Sequence, residues 1–176
     1  LGILGFGSIG QSLARKAGAL GLRVLALSRP GQAIADIPGV ERVADLRQLF
    51  AGSDHLVLAA PLPVAPRGLI DRQVLAYARP GLHLINIARG GLIDQQALLD
   101  ALDSGLIGRA SLDVTEPEPL PAGHPLYHHP RVFLSPHTSA ISEDGYPAFL
   151  DAFIANFHRY HEQAPLANLV DTARGY

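Results

Sequence analysis

The chain has 176 residues, of which 48% are hydrophobic and 17% charged, a balance typical of a folded domain and unlike that of a disordered chain. It contains no cysteine, which excludes disulfide frameworks, zinc–thiolate sites and thiol nucleophiles. A net charge of −2 gives no electrostatic basis for binding nucleic acid or an acidic membrane. No apolar run reaches the roughly 18 residues of a membrane-spanning helix, so we expect a cytoplasmic protein.

Short apolar runs alternate with amphipathic segments along most of the chain. Strands are predicted at 1–5, 22–28, 54–60, 82–88, 109–114 and 131–135, and helices at 8–20, 44–53, 69–81, 95–105 and about 142–163. Nearly continuous apolar strands separated by helices indicate a parallel sheet that is covered on both faces. The expected fold class is therefore α/β, with a doubly wound parallel sheet of the Rossmann type.

Two of these helices carry more specific signals. In the first, Ile9, Leu13, Ala17 and Leu20 recur at helical spacing and predict a buried stripe. In the fourth, Asp94 is placed to cap the N-terminus, and Gly105 is a candidate C-terminal cap.

The opening run LGILGFGSIG contains the spacing G-x-G-x-x-G between a predicted strand and a predicted helix. Gly5 permits a tight turn, Gly7 lets a pyrophosphate approach the backbone, and Gly10 lets the helix pack closely on the strand. The helix then offers the unpaired amides of Ser8 and Ile9 to the phosphates. This context predicts dinucleotide binding.

The end of the second strand distinguishes between two cofactors. NAD-binding proteins of this type carry an acidic residue about 20 residues after the loop, which binds the ribose hydroxyls. Here Ser28 and Arg29 lie in its place. A hydroxyl and a guanidinium can hydrogen-bond a 2′-phosphate, so we expect NADP to be preferred, with NAD possible. The alternative is that Arg29 stacks over the adenine of NAD or lies in solvent.

Three later motifs narrow the class: NIARGGLIDQQALLDAL at 86–102, SLDVTEPEPLP at 111–121 and LSPHTSA at 134–140. Their order and spacing resemble the D-2-hydroxyacid dehydrogenases, and the tail NLVDTARGY continues the likeness. The chain looks most similar to the glyoxylate/hydroxypyruvate reductase branch of that family. The resemblance implies a hydride transfer between NADP(H) and a small 2-keto acid.

The same resemblance implies a catalytic set of Arg89, Glu118 and His137. A guanidinium can grip a substrate carboxylate, and imidazole can exchange a proton with the reacting oxygen near neutral pH. A carboxylate beside the imidazole favours its charged form and fixes its orientation. The family pattern places this acid five residues after Asp113, which selects Glu118 over Glu116. The plainer alternative for Arg89 is to cap a helix or bridge to Asp94.

Further residues are assigned through the resemblance. Asp113 is expected to bind the nicotinamide carboxamide, although it could instead cap a loop. Pro61 and Leu62 are expected to line the nicotinamide approach, where Pro63 replaces a common threonine. After the catalytic histidine, Ser139 and Ala140 replace a common glycine pair, which affects the fit of the substrate. We expect no metal site, because His124, His128 and His129 have no usual zinc spacing and are expected at the surface.

Two domains are expected: a dinucleotide-binding domain at 1–141, and a helix and tail at 142–176 that belong partly to a substrate domain. The resemblance implies that the N-terminal part of that substrate domain is absent, so we expect this piece to bind cofactor with little turnover. The final helix carries a stripe of Phe149, Phe153, Ile154 and Phe157, which is expected to pack on the substrate domain. Relatives dimerise, which implies a homodimer.

Two other functions are compatible with these motifs. A dinucleotide-sensing binding protein or corepressor would keep the glycine loop, since the fold alone does not decide function. A phosphoglycerate or formate dehydrogenase would have a similar fold, and its substrate determinants would lie largely in the part expected to be missing.

Overall fold

A computed structural model describes residues 1–28, 36–61, 67–143 and 145–172 of the chain. The chain divides into two compact units, Leu1–His137 and Thr138–Tyr176. The boundary expected after residue 141 thus lies just inside the second unit. The assignment of residues 142–176 to a substrate domain stays a prediction.

The first unit is built on a seven-stranded parallel sheet with the strand order β3-β2-β1-β4-β5-β6-β7. The strands are β1 (Gly2–Leu4), β2 (Val24–Leu27), β3 (Val40–Arg42), β4 (His55–Leu58), β5 (Leu82–Asn86), β6 (Ile107–Leu112) and β7 (Val132–Leu134). The chain runs outward from β1 to β3 and then crosses to β4 on the other side of β1. This reversal confirms the doubly wound α/β prediction and creates a switch point between β1 and β4.

In the part of the chain that the structure describes, four helices connect the strands: α1 (Ser8–Ala19), α2 (Leu46–Ala51), α3 (Arg72–Leu75) and α4 (Gln95–Asp103). Short 3₁₀ turns lie at Gly90–Leu92 and Pro125–Tyr127. Because neighbouring strand residues point to opposite faces, the sheet has two cores. Ile3 packs with α1 in the smaller core, and Leu4 lies in the larger core that includes residues of α2, α3 and α4.

One strand and one helix differ from the predictions. The strand β3 was not predicted, because Glu41 and Arg42 make it polar and it lies exposed at the sheet edge. The helix expected at 69–81 forms only at Arg72–Leu75, after which i to i+3 turns continue to Ala78. Pro80 and Gly81 are poor continuations of a helix, so the longer apolar pattern ends in turns.

The predicted stripe on α1 is wrong at both ends. Ile9 is 58% exposed and Leu20 80% exposed, whereas Gly10, Ala14 and Ala17 are buried. Small residues are buried here because the helix lies close to the sheet.

Helix α4 follows its predicted start closely. The carboxylate of Asp94 accepts hydrogen bonds from the backbone N–H groups of Gln96 and Ala97, both at 3.0 Å, which confirms the N-cap. At the other end Ser104 is the cap, and Gly105 follows it with φ 78°.

The second unit contains one described helix, α5 (Gly145–His161), which begins three residues later than predicted. Its large apolar side chains are exposed, including Phe149, Phe153 and Phe157. The side-chain amide of Asn156 forms two hydrogen bonds with the backbone of Ala167, which folds the tail back on the helix. Among the described residues of both units, no helix has the length and apolarity needed to cross a membrane.

Candidate active site

The glycine loop lies at the switch point of the sheet. Gly5 directly follows β1 with φ 94°, and a side chain there would come within 2.6 Å of the backbone nitrogen of Ala60, after β4. A side chain on Gly10 would collide with the carbonyl oxygen of Gly5. Both positions therefore need glycine, one for the turn and one for the close approach of α1 to β1.

Gly7 is different, because a Cβ at this position would meet no atom within 4 Å. It is exposed and forms the N-cap of α1, whose first intrahelical hydrogen bond runs from Gln11 N–H to the Gly7 carbonyl at 2.9 Å. The amides of Ser8, Ile9 and Gly10 precede that bond, so they are the free first-turn donors of a helix N-terminus. Open space beside such donors fits a bound phosphate.

Two further predicted cofactor residues follow their strands on the same edge. Ser28 comes directly after β2, and Pro61 comes three residues after β4; both are partly exposed. Arg29, Leu62 and Pro63 lie outside the described residues.

Asp113 is the next candidate along this edge and directly follows β6. It is 5% exposed, and its Oδ1 accepts a hydrogen bond of 2.6 Å from the hydroxyl of Ser135, which follows β7. The side chain is thus held between the ends of two adjacent strands.

His137 and Glu118 are in direct contact. The distance from His137 Nδ1 to Glu118 Oε1 is 2.8 Å, although 19 residues separate them in the chain. Since a carboxylate only accepts hydrogen bonds, Nδ1 carries the donated proton and Nε2 is left for another partner. The two side chains are 47% and 38% exposed, so the pair remains open to solvent.

The backbone of His137 adopts an unusual conformation. Its φ is 55°, in the left-handed region that non-glycine residues rarely occupy. Its N–H donates to the carbonyl of Ser135 at 3.0 Å, so the chain turns tightly just before the ring. This turn follows β7 and places His137 at the same sheet edge as Asp113.

Arg89 lies on the turn that follows β5, and its side chain is exposed. Its Nη1 donates to the carbonyl of Ala88 at 2.6 Å, whereas Asp94 caps α4. The turn is held by Asn86, whose fully buried amide donates to the Arg89 carbonyl at 2.9 Å and accepts from the Ala88 N–H at 3.0 Å. The guanidinium is thereby presented from a fixed backbone.

All these side chains belong to one edge of the sheet because every strand is parallel. The carboxyl ends of β1, β2, β4, β5, β6 and β7 precede Gly5, Ser28, Pro61, Arg89, Asp113 and His137 respectively. Glu118 reaches this edge through its contact with His137. Ligands of doubly wound sheets bind at this edge, beside the switch point.

Three residues that hold this site were missed in the sequence. Asn86 fixes the Arg89 turn, Ser135 holds Asp113, and the side chain of Gln95 bonds to the backbone of Glu116. Only Asn86 gave a local signal, as an amide at the end of an otherwise apolar strand.

The three loop histidines have separate surroundings. His124 is partly buried rather than fully exposed, and its Nδ1 accepts a hydrogen bond from the Leu126 N–H at 3.3 Å. His128 is exposed, as expected, but the side chain of His129 is only 11% exposed and lies 3.2 Å from Asp103. Within the described ranges, no group of three or more His, Asp or Glu residues is placed to hold a metal ion.

Comparisons with known proteins identify the family of the chain. Residues 1–139 match the sequence model of the D-isomer specific 2-hydroxyacid dehydrogenase family, NAD binding domain. The chain belongs to this family. This match confirms the family resemblance that was predicted from the three motifs at 86–102, 111–121 and 134–140.

Named relatives agree with this assignment. Glyoxylate/hydroxypyruvate reductase A of Serratia proteamaculans is 38% identical over 179 residues, an alignment that covers 100% of this chain and 56% of the relative. Hydroxypyruvate reductase of Thermotoga maritima is 43% identical over 119 residues, covering 68% of this chain and 38% of the relative. The chain thus spans little more than half the length of the Serratia reductase.

Solved structures share the fold over the whole chain. A D-isomer specific 2-hydroxyacid dehydrogenase of Xanthobacter autotrophicus, in complex with NADPH and MES, has a TM-score of 0.89 at 36% identity and covers 100% of this chain and 72% of its own. The NADPH-dependent glyoxylate/hydroxypyruvate reductase of Sinorhizobium meliloti, in complex with NADP and sulfate, has a TM-score of 0.89 at 34% identity. It covers 99% of this chain and 56% of its own.

Proposed function

We propose that this chain forms the cofactor-binding and proton-transfer part of an NADP-linked reductase. Its substrate is a small 2-keto acid such as glyoxylate or hydroxypyruvate, which becomes the D-2-hydroxy acid; NAD is the second cofactor. The observation that carries the proposal is the 2.8 Å contact of His137 with Glu118 at the sheet edge that also bears the glycine loop. The names of the Serratia and Sinorhizobium relatives support it.

The cofactor site is proposed along the edge of the sheet. The open space at Gly7 and the first-turn amides of α1 fit the pyrophosphate. Ser28 and Arg29 then bind the 2′-phosphate, and Pro61 and Asp113 face the nicotinamide. The full proposed set is Gly5, Gly7, Ser8, Ile9, Gly10, Ser28, Arg29, Pro61 and Asp113.

Arg89 is proposed to bind the substrate. Its guanidinium can hold a carboxylate through two parallel hydrogen bonds, which fixes the neighbouring keto group in one orientation. The buried Asn86 keeps the backbone of this turn in place. When bound, the reduced nicotinamide supplies the hydride that the keto carbon receives.

His137 is proposed to supply the proton. Because Nδ1 bonds to Glu118, the proton leaves from Nε2 and goes to the substrate oxygen as negative charge develops there. Glu118 accepts the Nδ1 hydrogen bond and so keeps the ring in this orientation. In the oxidative direction Nε2 accepts the proton of the hydroxyl group.

Cofactor binding is tested on the 176-residue chain by fluorescence titration with NADPH and NADH. We expect NADPH to bind about tenfold or more tightly, because charged hydrogen bonds to the 2′-phosphate contribute about 1.5–3 kcal/mol. Arg29→Ala should remove most of this preference. Arg23→Ala is the control, since Arg23 lies before β2 and pairs with Glu41. Tighter binding of NADH would contradict the NADP assignment.

Catalysis is tested in a chimera in which this chain replaces the matching segment of the Serratia reductase. His137→Ala should lower kcat/KM for glyoxylate about 10²–10⁴-fold, the usual contribution of general acid–base catalysis, with NADPH affinity unchanged. His128→Ala, at an exposed histidine, should leave the rate unchanged. Tight NADPH binding with no turnover on any 2-keto acid would instead favour a dinucleotide-sensing protein.

We also propose that the protein is a cytoplasmic homodimer. Sedimentation of the chimera would test its assembly, and fractionation of cells that express the chain would test its location. A monomeric chimera would contradict the dimer.

A further inference from the structure

The loop that carries Glu118 is tied to the start of α4 by one side chain. Gln95 Nε2 donates to the backbone carbonyl of Glu116 at 2.5 Å, and the N–H of Glu116 donates to Gln95 Oε1 at 3.1 Å. A primary amide can do both because it carries a donor and an acceptor. Two residues 21 positions apart are thereby joined by a pair of hydrogen bonds, one donated and one accepted.

A second contact joins the same two segments. Gly90, which follows Arg89, packs directly on the backbone of Thr115, and a Cβ at Gly90 would collide with the Thr115 carbonyl. The turn that presents Arg89 and the loop that presents Glu118 therefore touch at adjoining points. The hydrogen bonds of the Gln95 amide join the same two segments next to this contact, at the start of α4.

Little freedom remains between Glu116 and Glu118. Pro117 and Pro119 flank Glu118, and a proline ring fixes its own φ. The hydroxyl of Thr115 also donates to the carbonyl of Pro117 at 2.9 Å. A constraint on the backbone of Glu116 is thus passed to the position of the Glu118 carboxylate.

The other restraint on Glu116 is weaker. Its carboxylate lies 2.8 Å from Arg67 Nη1, but the two side chains are 46% and 69% exposed. Exposed ion pairs contribute little because water screens them and both side chains lose freedom. The backbone bonds to Gln95 hold the peptide itself.

We propose that Gln95 is a positioning residue for proton transfer: its amide holds the Glu118 loop so that the carboxylate stays on Nδ1 of His137. The inference rests on the proposed function and extends it to a residue outside the catalytic set. This role requires both the N–H donor and the carbonyl acceptor of the Gln95 side chain. Leucine removes both hydrogen bonds, and glutamate keeps the acceptor but sets a carboxylate oxygen against the Glu116 carbonyl.

The test is a long-range ¹H–¹⁵N correlation spectrum of the 176-residue chain at pH about 8.5, where imidazole rings are neutral. This spectrum reports which ring nitrogen of His137 carries the proton. In the parent chain we expect mainly the Nδ1–H form, because Glu118 accepts from it. Glu118→Ala should return the ring to mainly Nε2–H, and Gln95→Leu and Gln95→Glu should each lower the ratio of Nδ1–H to Nε2–H several-fold.

The matched control is Gln96→Leu on the next residue, whose side-chain amide donates to Asp100 on the same helix. It should leave the ratio unchanged. In the chimera, Gln95→Leu should lower kcat about tenfold while KM for the keto acid stays within about twofold, because Arg89 still binds the substrate.

The outcomes separate the two proposals. If both Gln95 variants keep the parent ratio while Glu118→Ala changes it, Gln95 does not position the acid and the inference is wrong. If Glu118→Ala leaves the ratio unchanged, the pair does not exist in solution, which overturns the proton-transfer role together with the inference. A shift in Gln95→Leu but not in Gln95→Glu would assign the effect to the Glu116 N–H alone and contradict the two-bond requirement.

Discussion

Asn86 is a polar residue that is completely buried, so we expect its replacement by an apolar residue to lower the stability of the fold. Asn86→Leu leaves the Ala88 N–H without its partner and removes one of two hydrogen bonds to the Arg89 carbonyl, which keeps the Leu92 N–H at 3.3 Å. Unsatisfied buried groups of this kind cost about 1–3 kcal/mol. For a chain of this size, a loss of about 2 kcal/mol lowers Tm by about 4–8 °C, measured by thermal circular dichroism.

Gln96→Leu is the control for Asn86, because it changes the same functional group at an exposed position. Its Tm should stay within about 2 °C of the parent, as for most surface substitutions. If the Tm of Asn86→Leu also stays within about 2 °C of that of the parent, the amide does not hold the turn.

His83 gives a prediction about pH. It pairs in register with His55 and Arg109 on the neighbouring strands, and its Nε2 lies 2.9 Å from the hydroxyl of Ser111. Burial, and then the nearby His55 and Arg109, lower the pKa of His83 from 6.5. The unfolded chain therefore takes up a proton at a pH where the folded chain does not, and stability falls as the pH drops below about 6.5.

His83→Gln removes this proton uptake. Between pH about 7.5 and about 5.5, its Tm should fall less than that of the parent chain. His128→Gln, at an exposed histidine, should follow the parent curve. An equal or steeper fall for His83→Gln would show that the folded chain tolerates the charged ring.

At the residue scale, the family resemblance proposed Arg89, Glu118 and His137 as catalytic residues but did not indicate the residues that contact them. Gln95 contacts Glu116, which lies 21 positions later in the sequence, and no local sequence pattern predicts this contact. Ser135 likewise acts on a side chain 22 positions away. Such partners depend on how distant loops meet at the sheet edge, which a single sequence does not specify.

At the scale of elements, α1 lies so close to β1 that we expect one added methyl group at Gly10 to lower both stability and cofactor affinity. Gly10→Ala places a Cβ against the Gly5 carbonyl, so the helix must move away from the strand. Overpacking of this kind costs about 1–3 kcal/mol. Because the same movement displaces the first-turn amides, NADPH affinity should fall about tenfold or more, measured by fluorescence titration.

Gly18→Ala is the matched control on the same helix. Gly18 lies in the last turn of α1, where a Cβ would meet no atom within 4 Å. Alanine is the better helix former by about 1 kcal/mol, so this variant should be equally or slightly more stable and bind NADPH normally. If Gly10→Ala behaves like Gly18→Ala, the close approach does not constrain the loop.

The elements that the sequence predicted well are those with local signals. Helix α4 has a capping carboxylate and a helical apolar period, and both were recognised. β3 was missed because an exposed edge strand needs no apolar face. The stripe on α1 was misplaced because small residues, rather than large ones, pack where the helix approaches the sheet most closely.

At the scale of the whole chain, ligand binding should appear as thermal stability. A ligand that binds only the folded state at about 100 times its Kd adds about 2.7 kcal/mol. At that ratio NADPH should raise Tm by about 5–10 °C. NADH at the same concentration should raise Tm less, because its proposed affinity is lower.

The control is Gly10→Ala at the same NADPH concentration, whose Tm should rise by less than that of the parent. A parent chain that gains no stability from either nucleotide would contradict the proposed cofactor site.

The left-handed backbone at His137 bears on how this family could lose its chemistry. Glycine occupies that region more readily than histidine, so the backbone conformation by itself favours glycine. Under the proposed function, the imidazole is kept there for proton transfer rather than for the turn. A relative that bound the nucleotide without reducing a substrate would be expected to carry glycine at this position, with a gain in stability. The backbone of this turn and the chemistry proposed for its side chain thus favour different residues at one position.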